Sequence, residues 1–125
     1  MRDYRKFYID GQWVEPAAPK SLDVVNPATE GVAGVISLGS RADVDRAVAA
    51  AQQAFGTYSR TTREERVALL EKIIEVYKRR MDDMAQVISE EMGAPIATVA
   101  KPLQAPSGLG HFMVALGVLK DFEFE

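Results

Sequence analysis

The chain has 125 residues, 47% hydrophobic and 26% charged, a size and balance that suit one small soluble globular domain and argue against disorder. Its 15 basic and 18 acidic residues leave a net charge of −3, which gives no electrostatic ground for a nucleic-acid or membrane partner. There is no cysteine, so disulfides, thiolate metal sites and a cysteine nucleophile are excluded within these residues.

The N-terminus MRDYRKFYID has no apolar signal-peptide core, and no run reaches the length of a membrane span. A cytoplasmic protein is the expectation. Strand signals run over about 7–38. Phe7, Ile9 and Trp13 flank the Asp10-Gly11 turn, and Leu22, Val24 and Val25 lead into Asn26-Pro27. Val32, Val35 and Ile36 resume the pattern up to Gly39. The reading is a small antiparallel β element, marginal alone and in need of a partner surface.

Ser40 and Asp43 form an acceptor pair of capping-box type, opening a helix over about 41–55. Val44, Ala47, Val48, Ala51 and Phe55 build its apolar face, its many alanines allow close approach, and Gly56 ends it. Thr62 and Glu65 form a second capping box. The stripe Val67, Leu70, Ile74, Tyr77, Met81, Met84 and Ile88 predicts one long helix over about 62–92, on the order of 45 Å, stopped by Gly93. Glu75 and Arg79 stand at favourable i,i+4 spacing on its charged face. Further helix is expected over about 95–124, with Pro102 and Pro106 kinking or breaking it. The run FMVALGV after His111 is apolar nearly all round, the pattern of an element buried on every side. Nothing earlier in the chain supplies that cover, so its packing partners are expected beyond Glu125.

Motifs with chemistry are few. Gly108-Leu109-Gly110 lacks a preceding strand and a third glycine, and reads as a flexible hinge between helical pieces rather than a nucleotide loop. His111 is the only histidine and has no titrating partner in sequence reach. Tyr4, Tyr8, Tyr58, Tyr77 and Trp13 are scattered as core anchors. Glu90 and Glu91 diverge by about 100° on a helix and read as a solvated turn, not a carboxylate pair.

Taken together, I-D-G-Q-W-V, V-N-P-A-T, A-D-V-D-R-A-V and E-M-G-A-P, in this order and spacing, resemble the opening portion of the NAD(P)-dependent aldehyde dehydrogenase superfamily. The likeness covers Phe7 to Glu125. It implies an α/β family fold, of which residues 1–125 form the N-terminal segment, mainly α-helical with a small N-terminal antiparallel β element. The family is an oxidoreductase family that converts an aldehyde to a carboxylic acid with NAD or NADP through a cysteine thiohemiacetal. The thiolate is a soft nucleophile, and preorganised donors stabilise the developing oxyanion. No catalytic and no cofactor-binding residue transfers, because those motifs come later than residue 125. This chain alone is therefore expected to be inactive and to bind no cofactor, with the aldehyde a substrate only of the full-length protein.

The resemblance also implies a monovalent-cation site with Val24 and Val25 backbone oxygens and the Glu91 carboxylate. It places Phe112, Met113 or Val114 beside the aldehyde access tunnel. The family's usual G-K-P is G-A-P here, at Gly93-Ala94-Pro95. The alternative reading is a non-enzymatic helical module that self-associates through the apolar helix after His111. Under either reading a homo-oligomer is expected.

Overall fold

The computed structural model describes residues 2–124, which divide into two units, Met1–Arg60 and Thr61–Glu125. The first unit is the β element with one helix. Strands β1 (Arg2–Tyr4), β4 (Ser21–Val25) and β5 (Val32–Ser37) form a sheet in the order β1-β5-β4. Strands β2 (Phe7–Ile9) and β3 (Gln12–Val14) form a separate hairpin. Asp10 and Gly11 both have positive φ, 53° and 73°, which the two-residue turn between Ile9 and Gln12 requires. β4 and β5 pair antiparallel across the Asn26-Pro27 loop, where the Asn26 side chain accepts from the Ala28 N–H at 2.9 Å. β1 pairs parallel to β5, a strand the sequence pattern does not announce. A three-residue strand of alternating charge carries no period-2 signal.

Helix α1 (Arg41–Tyr58) passes through Gly56 instead of stopping there. A glycine inside a helix costs only about 1 kcal/mol against alanine. Both halves of the Ser40–Asp43 capping box are made. Asp43 does more than cap. Its carboxylate, 4% exposed, accepts the Ala17 N–H at 2.8 Å, the Ser40 N–H at 2.9 Å and the Ser40 hydroxyl at 2.7 Å. Arg46 bridges it at 3.2 Å and reaches the Glu15 carbonyl at 3.1 Å. The link between β3 and β4, with Pro16 buried in it, is thereby tied to the start of α1. The side of α1 turned inward carries Asp43, Ala47 and Ala50. Val44, Val48 and Phe55, expected to be the packed face, are exposed. A hairpin of three-residue strands offers little apolar surface, so the polar tie and the alanine side prevail. Tyr4, Tyr8, Trp13 and Tyr58 are likewise exposed rather than core anchors. Tyr8 and Trp13 pack on each other across the hairpin at 5.3 Å.

The second unit is helical. The stripe from Val67 does not continue as one long helix. α2 (Arg63–Arg79) and α3 (Met81–Met92) are separated at Arg80, which sits at φ −105° and ψ 17° with its N–H shared between the Val76 and Tyr77 carbonyls. The charges explain the break. Lys78 and Arg79 favour a C-terminus, Asp82 and Asp83 favour an N-terminus, and Arg80 bonds Asp83 at 3.1 Å across the joint. α2 starts with its Thr62–Glu65 box complete, and Gly93 ends α3 at φ 69°. A π-helical segment, Ile96–Gln104, follows and runs directly into α4 (Ala105–Asp121).

Pro102 therefore changes the winding instead of ending the helix. Its ring would strike the carbonyl four residues back in an α-helix, and i→i+5 winding, as in Ala105 N–H to Ala100 C=O, moves that carbonyl aside. Pro106 falls in the first turn of α4, where the fixed φ of proline is tolerated. Ala85, Ala100 and Ala105, at 1%, 0% and 0% exposure, meet where α3, the π segment and α4 converge, with Met81, Ile88 and Ala94 against them.

The Asp43 carboxyl is held below its ordinary range chiefly by the Ser40 backbone N–H, then by the Ala17 N–H and the Ser40 hydroxyl. A depressed folded-state pKa adds stability that is whole above the unfolded value and is lost as pH falls through the folded one. Asp43→Asn is expected to lower the melting midpoint of the first unit at pH 7. It should also flatten its loss of stability below about pH 4, as read by thermal melts across an acid series. An acid limb as steep in the variant as in the wild type would contradict this role.

Candidate functional site

Val24 and Val25 lie in β4, where the register with β5 shifts between them. Such a bulge takes backbone groups off the ladder and makes carbonyl oxygens available. Glu91 is exposed in the last turn of α3. Two peptide oxygens and a carboxylate are donors of the kind hard cations take. Val24 and Val25 belong to the first unit and Glu91 to the second. Among the described residues there is no cluster of three or more metal-binding side chains.

Phe112, Met113 and Val114 occupy the middle of α4. Phe112 is half-buried, while Met113 and Val114 are exposed, at 52% and 67%. The expectation that this run is buried on every side does not hold within these residues: Val118 and Phe122 are exposed as well. A single layer of helices covers one face of α4 and leaves the others open. Phe112 borders an open apolar groove of about 550 Å³ on the second unit, with Ile73, Val76, Met84 and Val87 as its other apolar walls.

A closely fitted part of this unit is around Tyr77, which the sequence pattern places in the apolar stripe of the long helix and among the scattered core anchors. Its hydroxyl donates to the Ala105 carbonyl at 2.9 Å. Its ring packs tilted on Phe112 at 6.0 Å. It also lies over Gly108 so closely that a Cβ there would meet Tyr77 Cζ at 2.9 Å and collide with the hydroxyl. The Gly108-Leu109-Gly110 sequence is thus not a hinge between helical pieces. It is continuous α-helix, and Gly108 is where α4 admits a ring from α2. Beside it, Gln104 Oε1 is buried and accepts no hydrogen bond from the described residues.

A dinucleotide pyrophosphate needs free N–H groups at a helix start after a strand. The step from β5 to α1 has that order of elements, but its donors serve Ser40 and Asp43, and the Asp43 carboxylate occupies the place of an anion. These residues do not fit the phosphates of a nicotinamide dinucleotide.

Comparison with known proteins places the fold. A sequence profile described as the aldehyde dehydrogenase family matches residues 13–123. A 3-succinoylsemialdehyde-pyridine dehydrogenase from Pseudomonas sp. is 52% identical over all 125 residues, which make up 26% of that relative. Aldehyde dehydrogenase from Bartonella henselae superposes with a TM-score of 0.95 at 45% identity, covering 99% of this chain and 26% of that one. A mutant form of aldehyde dehydrogenase C from Pseudomonas syringae, crystallised with NAD+ and octanal, gives 0.92 at 47% identity, covering 96% of this chain and 24% of that one. The helical unit and its β element are those of an oxidoreductase scaffold. The chain belongs to the aldehyde dehydrogenase family and spans about a quarter of the length of the relatives it matches.

Gly108→Ala is expected to destabilise the second unit by about 1–3 kcal/mol, the usual cost of overpacking a fitted contact. Tyr77→Phe in the same chain removes the atom that collides most severely. A double-mutant cycle by urea denaturation should therefore show less than the sum of the two single losses. Strict additivity would mean that the ring and the glycine do not press on each other.

Proposed function

We propose that this chain serves as the N-terminal portion of an NAD(P)-dependent aldehyde dehydrogenase that oxidises an aldehyde to a carboxylic acid through a cysteine thiohemiacetal. The observation that carries this is the fit of nearly the whole chain onto solved members of the family, joined to the lack of any cysteine among its 125 residues. The nucleophile and the dinucleotide site are then supplied by residues outside this chain, which is inactive by itself. When bound, the nicotinamide supplies the hydride acceptor.

The chain's own residues build the scaffold. On α4, half-buried Phe112 with the exposed Met113 and Val114 borders the path of the aldehyde, excluding water and holding the apolar tail. The relative crystallised with octanal supports an apolar aldehyde. The Val24 and Val25 carbonyls of the first unit, and independently the Glu91 carboxylate of the second, are offered as monovalent-cation ligands. As part of this reading we propose that the full-length protein works in the cytoplasm as a homo-oligomer.

A second reading is favoured by one observation, the exposure of Met113, Val114 and Val118 on α4. Apolar surface of this kind drives association in water, so the isolated chain also self-associates.

Two measurements test these readings. The 125-residue chain mixed with octanal and NAD should give no rise in reduced-nicotinamide absorbance, while a chain extended through the family's cysteine segment should give one. Turnover by the short chain would sink the proposal. In sedimentation at micromolar concentration the short chain should run as an oligomer, and Val114→Lys with Val118→Lys should return it to monomer. A wild-type monomer would remove the second reading.

A further inference from the structure

α4 poses a problem of orientation. Its side chains are apolar almost all the way round, so hydrophobic burial alone does not choose which face turns to α2. Something specific must fix its rotation. Ala105, Gly108 and Phe112 stand at positions i, i+3 and i+7, which places them on one stripe of the helix. Tyr77 touches all three: the Ala105 carbonyl with its hydroxyl, Gly108 with the hydroxyl end of its ring, and Phe112 ring to ring. A polar contact at one end, a volume match in the middle and an aromatic pair at the other end specify both rotation and axial position. The hydroxyl bonds at the junction where π winding gives way to α winding, the point at which the register of α4 is set. A peptide oxygen has two lone pairs, so the Ala105 carbonyl serves the helix and Tyr77 together.

We propose that Tyr77 is a positioning residue for the aldehyde site: through Ala105, Gly108 and Phe112 it sets which side chains of α4 border the substrate path. It touches no reacting atom. With the stripe of Ala105, Gly108 and Phe112 turned to Tyr77, Met113 lies about 100° and Val114 about 200° round the helix. These are the directions in which both are exposed. A change in that rotation moves all three side chains relative to an aldehyde tail and leaves the carbonyl chemistry where it is. The consequence is a length-dependent effect, because a short aldehyde has no tail for α4 to hold. This inference rests on the aldehyde dehydrogenase reading above.

The test uses the full-length dehydrogenase that carries this segment, with octanal and propanal as probes. Tyr77→Phe keeps the ring and removes only the hydroxyl. KM for octanal is expected to rise about threefold to tenfold, the range one lost hydrogen bond commands, with kcat and the propanal KM changed less than about twofold. Gly108→Ala, which displaces the ring from the other side, should give the same split. The double variant should lie closer to Tyr77→Phe alone than to the product of the two effects. An unchanged octanal KM in both variants would overturn the proposal. So would losses equal for both aldehydes and parallel to a fall in melting midpoint, the signature of a purely structural tyrosine. A wild-type full-length protein that oxidises neither aldehyde would instead overturn the reading on which this inference stands.

Discussion

Ala85, Ala100 and Ala105 are the most deeply buried apolar side chains described in this protein, and the helical unit is organised by how close they let its helices come. A buried methyl group contributes only about 1 kcal/mol. The larger effect is geometric. Small side chains at a crossing let helix axes approach near the lower end of the usual 8–10 Å. Next to this seam, Tyr77 of α2 reaches the Ala105 carbonyl with its hydroxyl and abuts Gly108. No large side chain among the described residues is fully buried, so these contacts do the specifying that a bulky core would otherwise do.

The first unit reaches order by another route. Its strands are short, and its large apolar groups, Tyr8, Trp13, Leu22 and Val25, stay exposed. A single carboxylate, Asp43, gathers a helix cap, the passing chain at Ala17 and an arginine. Buried charge is tolerated when nearly every lone pair is satisfied, and here several donors converge on one group. The two units therefore rely on opposite physics, close apolar approach in one and a satisfied polar hub in the other.

The exposed apolar groups follow one pattern. Val44, Val48 and Phe55 on α1 and Met113, Val114 and Val118 on α4 lie at helical spacing on faces that no element of their own unit covers. Scattered exposed apolar residues are normal on protein surfaces, but aligned ones mark surfaces of association or of ligand contact. In a chain that spans about a quarter of the length of its relatives, these faces are the natural place to look for partners and substrate.

Several local features were legible in the sequence: both capping boxes, the Asp10-Gly11 turn, the Asn26-Pro27 loop, the stop at Gly93 and the Glu75–Arg79 pair, which closes at 3.0 Å. Each depends on residues within about five positions, so spacing alone specifies it. The break at Arg80 was legible in principle, since Lys78-Arg79-Arg80 followed by Asp82-Asp83 carries the charges of one helix end and one helix start. The continuous apolar stripe concealed it. Three outcomes lay beyond the sequence: the π winding around Pro102, the inward face of α1, and the meeting of Tyr77 with Gly108, separated by 31 positions. Each is a choice between packings that local propensity leaves nearly equal. Only contact with a neighbouring element, a carbonyl in reach or the absence of a Cβ, settled which one was adopted.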